Sequence, residues 1–178
     1  MKHILNAGDL ALTLDRLASE IWERHHARKN LMIVGIERRG ADLARRLAAL
    51  IEARKGAPVP LGTLDINLYR DDWTSLEAKP HIGQSHIPSS VDGKTIVLVD
   101  DVLFTGRTIR SALSALLDYG RPRLVELLVL IDRGHRELPI QADYVGQKIT
   151  TSRNERVDVY LTERDGKDDV VCGEVQGE

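Results

Sequence analysis

Asp100 and Asp101 stand side by side after an apolar run, residues 95–99, and are followed by Val102-Leu103-Phe104-Thr105-Gly106-Arg107-Thr108. Adjacent carboxylates accept hydrogen bonds from neighbouring hydroxyls. Thr105 and Thr108 supply hydroxyl donors, and Gly106 lets the main chain approach an anion closely. Ile109, Leu113, Leu116 and Leu117 then recur at helical spacing before Gly120-Arg121-Pro122 stops the pattern. The loop therefore joins the carboxyl end of a strand to the amino end of a helix, where unpaired N–H groups and the helix dipole favour an anion. Acceptors for sugar hydroxyls beside donors for phosphate suit a ribose 5-phosphate held at both ends.

Other readings of those carboxylates exist. One Asp could cap the helix, or it could be a Walker B group on magnesium. A Walker B group requires a Walker A partner. Gly35-Ile36-Glu37-Arg38-Arg39-Gly40 has the glycines, but Ala41-Asp42 stands where Lys followed by Ser or Thr is required, which argues against a P-loop nucleotidase. The same turn follows a strand and opens a helix. Its two guanidinium groups suit a diphosphate, although alone it reads equally well as a basic surface turn.

The elements that position these residues follow from periodicity. Asp9 is a candidate cap for a first helix with Leu10, Leu14, Leu17 and Ile21 inward. Residues 31–34 read as a strand. A second helix follows the Gly35–Gly40 turn, with Leu43, Leu47 and Leu50 inward, and ends before Gly56. Residues 59–65, 95–99 and 124–131 read as further strands, and residues 157–174 as a terminal hairpin around Asp165-Gly166. Residues 69–88 have no clean period and are long for a connection, as in a lid or arm. Alternating strands and helices imply an α/β fold, a mostly parallel sheet with helices on both faces, whose ligands bind outside the carboxyl ends of the strands.

The bulk properties set limits. The chain has 178 residues, enough for one domain with a core, and a formal net charge of -2. Nothing global points to nucleic acid or membrane binding, so an RNA site would be a local patch. No apolar run approaches a membrane span and no signal segment is visible. The lone Cys172 excludes an internal disulfide; these features lead us to expect a cytoplasmic protein. The six histidines are scattered, and His25-His26 at a helix end is expected to be solvated.

The run from Ile96 to Thr108 resembles the 5-phosphoribosyl-1-pyrophosphate (PRPP) motif of type I phosphoribosyltransferases, and Val34-Gly35-Ile36 with Arg39-Gly40 resembles the same family. Leu64-Asp65-Ile66 with Leu68-Tyr69-Arg70-Asp71-Asp72, Asp132-Arg133-Gly134-His135-Arg136-Glu137-Leu138-Pro139-Ile140, Ala142-Asp143-Tyr144-Val145-Gly146 and Thr151-Ser152 extend the resemblance over almost the whole chain. They are similar to one branch, the bifunctional pyrimidine-operon regulators that are also uracil phosphoribosyltransferases. The resemblance implies the type I phosphoribosyltransferase fold with a small hood. It implies Asp100 and Asp101 on the ribose hydroxyls, residues 102–108 around the 5-phosphate, and Arg38 and Arg39 on diphosphate, with a cis peptide placed at Arg38-Arg39. It makes Asp100, Asp101 and Arg39 catalytic, Arg133 and Val157 part of the nucleotide site, and Tyr69, Arg70, Asp71 and Asp72 the lid. Leucine is frequent in the family where Trp73 stands. Mg2+ is expected to arrive with PRPP and to be held mainly by it, without a protein cage.

The same resemblance implies uracil and UMP as ligands, a homodimer or larger homo-oligomer, and binding of pyrimidine-operon leader mRNA that is tighter with UMP. Arg16, Arg24, His135 and Arg136 are the candidate RNA contacts. Departures from the family pattern stand at Asp15, Ser19, Gln141 and Gln147, where threonine, histidine, arginine and lysine are common. Two lost cations and a gained anion weaken an RNA face, which leaves a salvage enzyme without RNA binding as an alternative. The nucleobase rests on resemblance, and a transferase acting on another base remains open.

Overall fold

Aliphatic runs without alternating polarity build strands covered on both faces, and amphipathic helices supply the covers. The computed structural model describes residues 1–27, 29–70 and 84–175. In chain order the elements are β1 (Lys2–Leu5), α1 (Ala7–His25), β2 (Leu31–Ile36), α2 (Arg39–Lys55), β3 (Leu61–Leu64), a 3-10 turn (Asn67–Tyr69), β4 (Thr95–Leu103), α3 (Arg107–Leu117), β5 (Leu124–Asp132), β6 (Tyr144–Lys148), β7 (Glu155–Tyr160), α4 (Thr162–Asp165) and β8 (Asp169–Glu174).

Five strands form a parallel sheet in the order β3-β2-β4-β5-β6. The side chains of β4 alternate between its faces. Val97 and Val99 pack with Leu43 and Leu47 of α2 and Leu14 and Leu17 of α1. Ile96 and Leu98 pack with Ile109, Ala112 and Leu116 of α3. A separate antiparallel sheet, β1-β8-β7, forms the hood, and its Val157, Val159 and Val170 join the core on the α1–α2 side. The expected terminal hairpin is β7 and β8, joined through α4.

Several local expectations need correction. Asn6, not Asp9, caps α1: its side chain accepts from the Asp9 amide at 2.9 Å, and Asp9 answers from the third helical position at 3.3 Å to the Asn6 amide. β4 continues past Asp100 and Asp101 to Leu103, because Val102 and Leu103 keep register with Ile131 and Asp132 of β5. α3 begins at Arg107, inside the expected loop, and its last residue Leu117 is exposed. Leu50 is only partly buried, while Ile51 is fully covered. No helix among the described residues is long and apolar enough to cross a membrane.

Candidate active site

The two carboxylates sit within β4, near its carboxyl end. Asp100 is 7 % exposed and Asp101 is partly buried. Asp100 Oδ1 accepts from the Asp101 amide at 3.0 Å, and Asp101 Oδ1 accepts from the Val102 amide at 2.8 Å. Burial pushes Asp100 well above the usual carboxylate range, and the neighbouring Asp101 charge adds to it. Burial also raises Asp101, opposed by the Val102 amide, the Asp100 side chain and the positive field of Arg39. Such a pair invites hydroxyl donors, which would offset its desolvation.

Two glycines bring the arginine turn to this strand. A Cβ on Gly40 would lie 2.5 Å from the Val99 carbonyl oxygen, and one on Gly35 would lie 2.4 Å from the Ala41 Cα. Only bare backbone lets the start of α2 tuck against both β2 and β4. The cis peptide lies at Glu37-Arg38, one bond before the expected Arg38-Arg39, and Arg39 already opens α2. Arg38 is exposed, and its carbonyl accepts from Arg164 at 3.3 Å. Arg39 is half-buried, and its Nη2 donates to both carboxylate oxygens of Asp165 at 3.0 and 3.3 Å.

Gly106 caps α3 at φ 93° and has no side chain of its own to close the helix end. The amino end of a helix is in general favourable to an anion. Thr105 Oγ1 accepts from the Arg107 amide at 3.3 Å, while the Thr105 carbonyl accepts from the amides of Glu137 and Leu138 at 2.9 and 3.2 Å. Arg107 Nε pairs with Glu137 at 2.9 Å. The segment after β5 therefore braces the loop, and Thr108 stays exposed.

Arg133, just past β5, is 6 % exposed and lies 4.0 Å above the Phe104 ring centre. Its Nε donates to Thr151 Oγ1 at 3.2 Å and its Nη2 to the Ser152 carbonyl at 3.0 Å. Burial lowers its pKa. His135 meets the same Phe104 ring edge-on at 5.8 Å, and its Nε2 lies 2.6 Å from the Thr151 carbonyl oxygen at a positive φ of 62°. Val157 is buried on β7, where it pairs with Cys172 of β8.

The expected lid begins on an anchored residue. The Tyr69 carbonyl accepts from Arg110 at 2.7 Å and from Ser111 at 3.0 Å, and its hydroxyl donates to Asp118. On the return side, His86 bridges to Thr63 of β3 and Ser85 Oγ accepts from the Asp65 amide at 2.8 Å. Arg70 follows the 3-10 turn with extended backbone. Asp71, Asp72 and Trp73 lie outside the described residues.

Residues 1–164 match the phosphoribosyl transferase domain family. The bifunctional protein PyrR of Pelotomaculum thermopropionicum is 54% identical over 168 residues, covering 94% of this chain and 93% of that protein. The bifunctional protein PyrR of Thermus aquaticus is 51% identical, covering 98% and 96% respectively. The chain belongs to the PyrR family of phosphoribosyltransferases. The backbone shows the fold by itself. It superposes on the hypoxanthine phosphoribosyltransferase of Trypanosoma cruzi with a TM-score of 0.73 at 17% identity, covering 99% of this chain and 98% of the other.

The candidate RNA-contact arginines all have partners within the chain, and Arg16 and Arg24 are exposed. Arg16 is paired with Glu20 at 2.5 Å and donates to the carbonyls of Val145 and Gly146 at 3.2 and 2.6 Å. Arg136 donates to the Ile140 and Phe104 carbonyls, both at 2.9 Å, and pairs with Asp132 at 2.6 Å. Arg24 lies 4.7 Å above the Tyr144 ring centre and pairs with Glu126 at 3.2 Å. Asp15 is paired with Arg54 at 2.5 Å.

Two features escaped the sequence reading. His25, expected to be solvated, is 2 % exposed and bonded to Glu126. The hood turn α4, read only as a hairpin corner, carries Arg164 and Asp165 onto the α2 turn. Arg164 bonds to buried Asp42 and reaches Glu37 at 3.7 Å. The only signal for it was the alternating charge of Glu163-Arg164-Asp165.

Proposed function

We propose that this protein transfers the phosphoribosyl group of PRPP to uracil, giving UMP and diphosphate, and that bound UMP tunes its hold on pyrimidine-operon leader mRNA. The observation that carries the reading is the adjacent Asp100 and Asp101, the first buried and the second partly so, within the positive field of Arg39 and on the strand that leads to the glycine-capped amino end of α3. The first turn of α3 with Thr105 and Thr108 holds the 5-phosphate. Asp100 and Asp101 accept the ribose 2- and 3-hydroxyls. Arg38 and Arg39 hold the diphosphate.

When the bond from the anomeric carbon to diphosphate lengthens, positive charge develops on the ribose ring. Two fixed carboxylates beside it stabilise that charge without reorganising. The diphosphate leaves with the bonding electrons toward Arg39. The uracil nitrogen then bonds to the anomeric carbon, and its proton passes to an oxygen of the departed diphosphate. Arg133, Phe104 and backbone around residues 132–135 frame the base, with Val157 behind. Closure of the lid from Tyr69 excludes water, so that the base is the nucleophile.

Among the described residues no group of three or more His, Cys, Asp or Glu is placed to hold a metal ion. A carboxylate pair that takes up sugar hydroxyls fits Mg2+ arriving on PRPP and held chiefly by its oxygens. Bound there, the ion would neutralise charge on the departing diphosphate.

The test is product formation from PRPP with a panel of uracil, orotate, hypoxanthine and guanine. UMP as the main product is expected, and preference for another base overturns the uracil assignment. Asp15, Gln141 and Gln147 favour a second reading, a salvage enzyme without RNA binding. A leader hairpin tested with and without UMP at two salt concentrations separates the two.

A further inference from the structure

We propose that Asp165 of the hood is a positioning residue for diphosphate, holding the Arg39 guanidinium so that its unpaired N–H groups face the leaving group. This inference rests on the phosphoribosyltransferase reading of the site.

Arg39 Nη2 is engaged by both oxygens of Asp165, at 3.0 and 3.3 Å. Its Nε is shielded from solvent and has no hydrogen-bond partner. A desolvated donor without an acceptor is costly, and in a binding site it marks a place for a ligand oxygen. Nη1 has no hydrogen-bond partner among the described residues either. The guanidinium is thus fixed at one corner and unsatisfied at the others.

Asp165 is itself immobilised. Its Oδ2 accepts from the Leu161 amide at 2.8 Å, closing the α4 turn. On either side, Arg164 grips Asp42, and Arg46 of α2 forks onto Glu163 and Asp168 at distances from 2.6 to 2.8 Å. Asp42 is 3 % exposed, so this junction is built into the core. α4 and the start of α2 therefore hold each other, and the positive field of Arg39 at this junction reaches Asp101 of β4. A flexible arginine would lose rotamer entropy on binding diphosphate; here that ordering has occurred already.

The opposite arrangement is also physically possible, with Asp165 occupying Arg39 as a rival to diphosphate. The two differ in sign. Binding of PRPP with Mg2+ is measured by calorimetry on wild type, Arg39→Gln, Asp165→Asn, Asp165→Glu and the Arg39→Gln/Asp165→Asn double variant, with KM values for PRPP and uracil alongside. Asp165→Asn is expected to weaken PRPP binding about tenfold and to raise the KM for PRPP while leaving the KM for uracil unchanged. The double variant should bind no worse than Arg39→Gln alone. Asp165→Glu keeps the charge but shifts it by one methylene, and should also weaken PRPP binding. Unchanged or tighter PRPP binding in a folded Asp165 variant overturns the proposal, as do additive losses in the double variant. Wild type that fails to bind PRPP would overturn the parent reading instead.

Discussion

Nε2 of His25 and Oε2 of Glu126 lie 2.6 Å apart in the interior, joining the end of α1 to β5 across 101 residues of sequence. The same oxygen accepts from the Tyr144 hydroxyl at 2.7 Å, and Arg24 reaches the other oxygen at 3.2 Å. One carboxylate thus satisfies donors from α1 and β6. His25 Nδ1 is buried without a partner. Glu126→Ala strands these donors and is expected to cost about 3 kcal/mol. Urea denaturation with an unchanged m-value checks it, and a loss near zero would show that water replaces the carboxylate.

Tyr144 gives this cluster an alkaline signature. Burial, then the hydrogen bond to Glu126, raises the phenol above its usual 10.0. A group whose folded pKa is raised contributes stability below its unfolded pKa and loses it as pH climbs through the folded value. Burial raises Glu126 as well, but the hydrogen bonds from Tyr144 and His25 outweigh it and leave the carboxyl below 4.5. Its contribution is present above pH 4.5 and fades as pH falls further. Melting curves across pH should show a Tyr144→Phe difference that shrinks above pH 10, and a constant difference would contradict the assignment.

Asp100 is expected to trade stability for activity. Its folded pKa is raised by burial and by the Asp101 charge, so above its unfolded pKa the group costs the fold stability. Asp100→Asn keeps an acceptor for the Asp101 amide and removes one charge. The variant should melt higher, by about 1 kcal/mol of added stability, while turnover falls about a hundredfold or more. A variant that is both less stable and fully active would refute the reading.

Gly40→Ala tests the close approach of α2 to β4. Its Cβ would meet the Val99 carbonyl at 2.5 Å, and backbone on both sides leaves no flexible group to yield. We expect about 1–3 kcal/mol of destabilisation, together with a raised KM for PRPP because the turn carrying Arg39 is displaced. Wild-type kinetics in this variant would show that the turn tolerates the shift.

RNA binding can be probed by restoring a cation. Gln147 lies on the edge strand β6, directly after Gly146, whose carbonyl receives Arg16. Gln147→Lys should tighten binding of a pyrimidine leader hairpin and steepen its salt dependence by roughly 0.7 for one added single-strand phosphate contact. An unaltered slope would place that residue off the RNA path.

Much of the α/β core was readable because long-range order and local pattern agree there. Leu10, Leu14, Leu17 and Ile21 repeat at helical spacing and all are buried. The aliphatic cores of β2, β4 and β5 carry uninterrupted apolar runs. The hood was less readable. β1 is four residues with one buried side chain, and it exists through pairing with β8 near the other end of the chain. β6 passed unnoticed because Gly146 breaks its pattern; a Cβ there would lie 2.4 Å from the Leu130 carbonyl, a constraint imposed by β5. His25 was misread for a related reason, since its partner lies in a distant strand. At the site, the carboxylates and the α3 loop were legible as local sequence, whereas the Arg39–Asp165 contact depends on how the hood folds back.

β4 does not stop at its carboxylates. Its ladder with β5 runs on through Val102 and Leu103, and β2 flanks its other side as far as Val99. Asp100 and Asp101 are therefore carried on a clamped beam rather than on a hinged tip. The chemistry has a stationary anvil, and the travel needed to admit a substrate and expel two products must come from parts that hang from it. A substitution that loosens this beam should blur turnover for every base alike, whereas one in the hanging parts should alter which step of the cycle is slow.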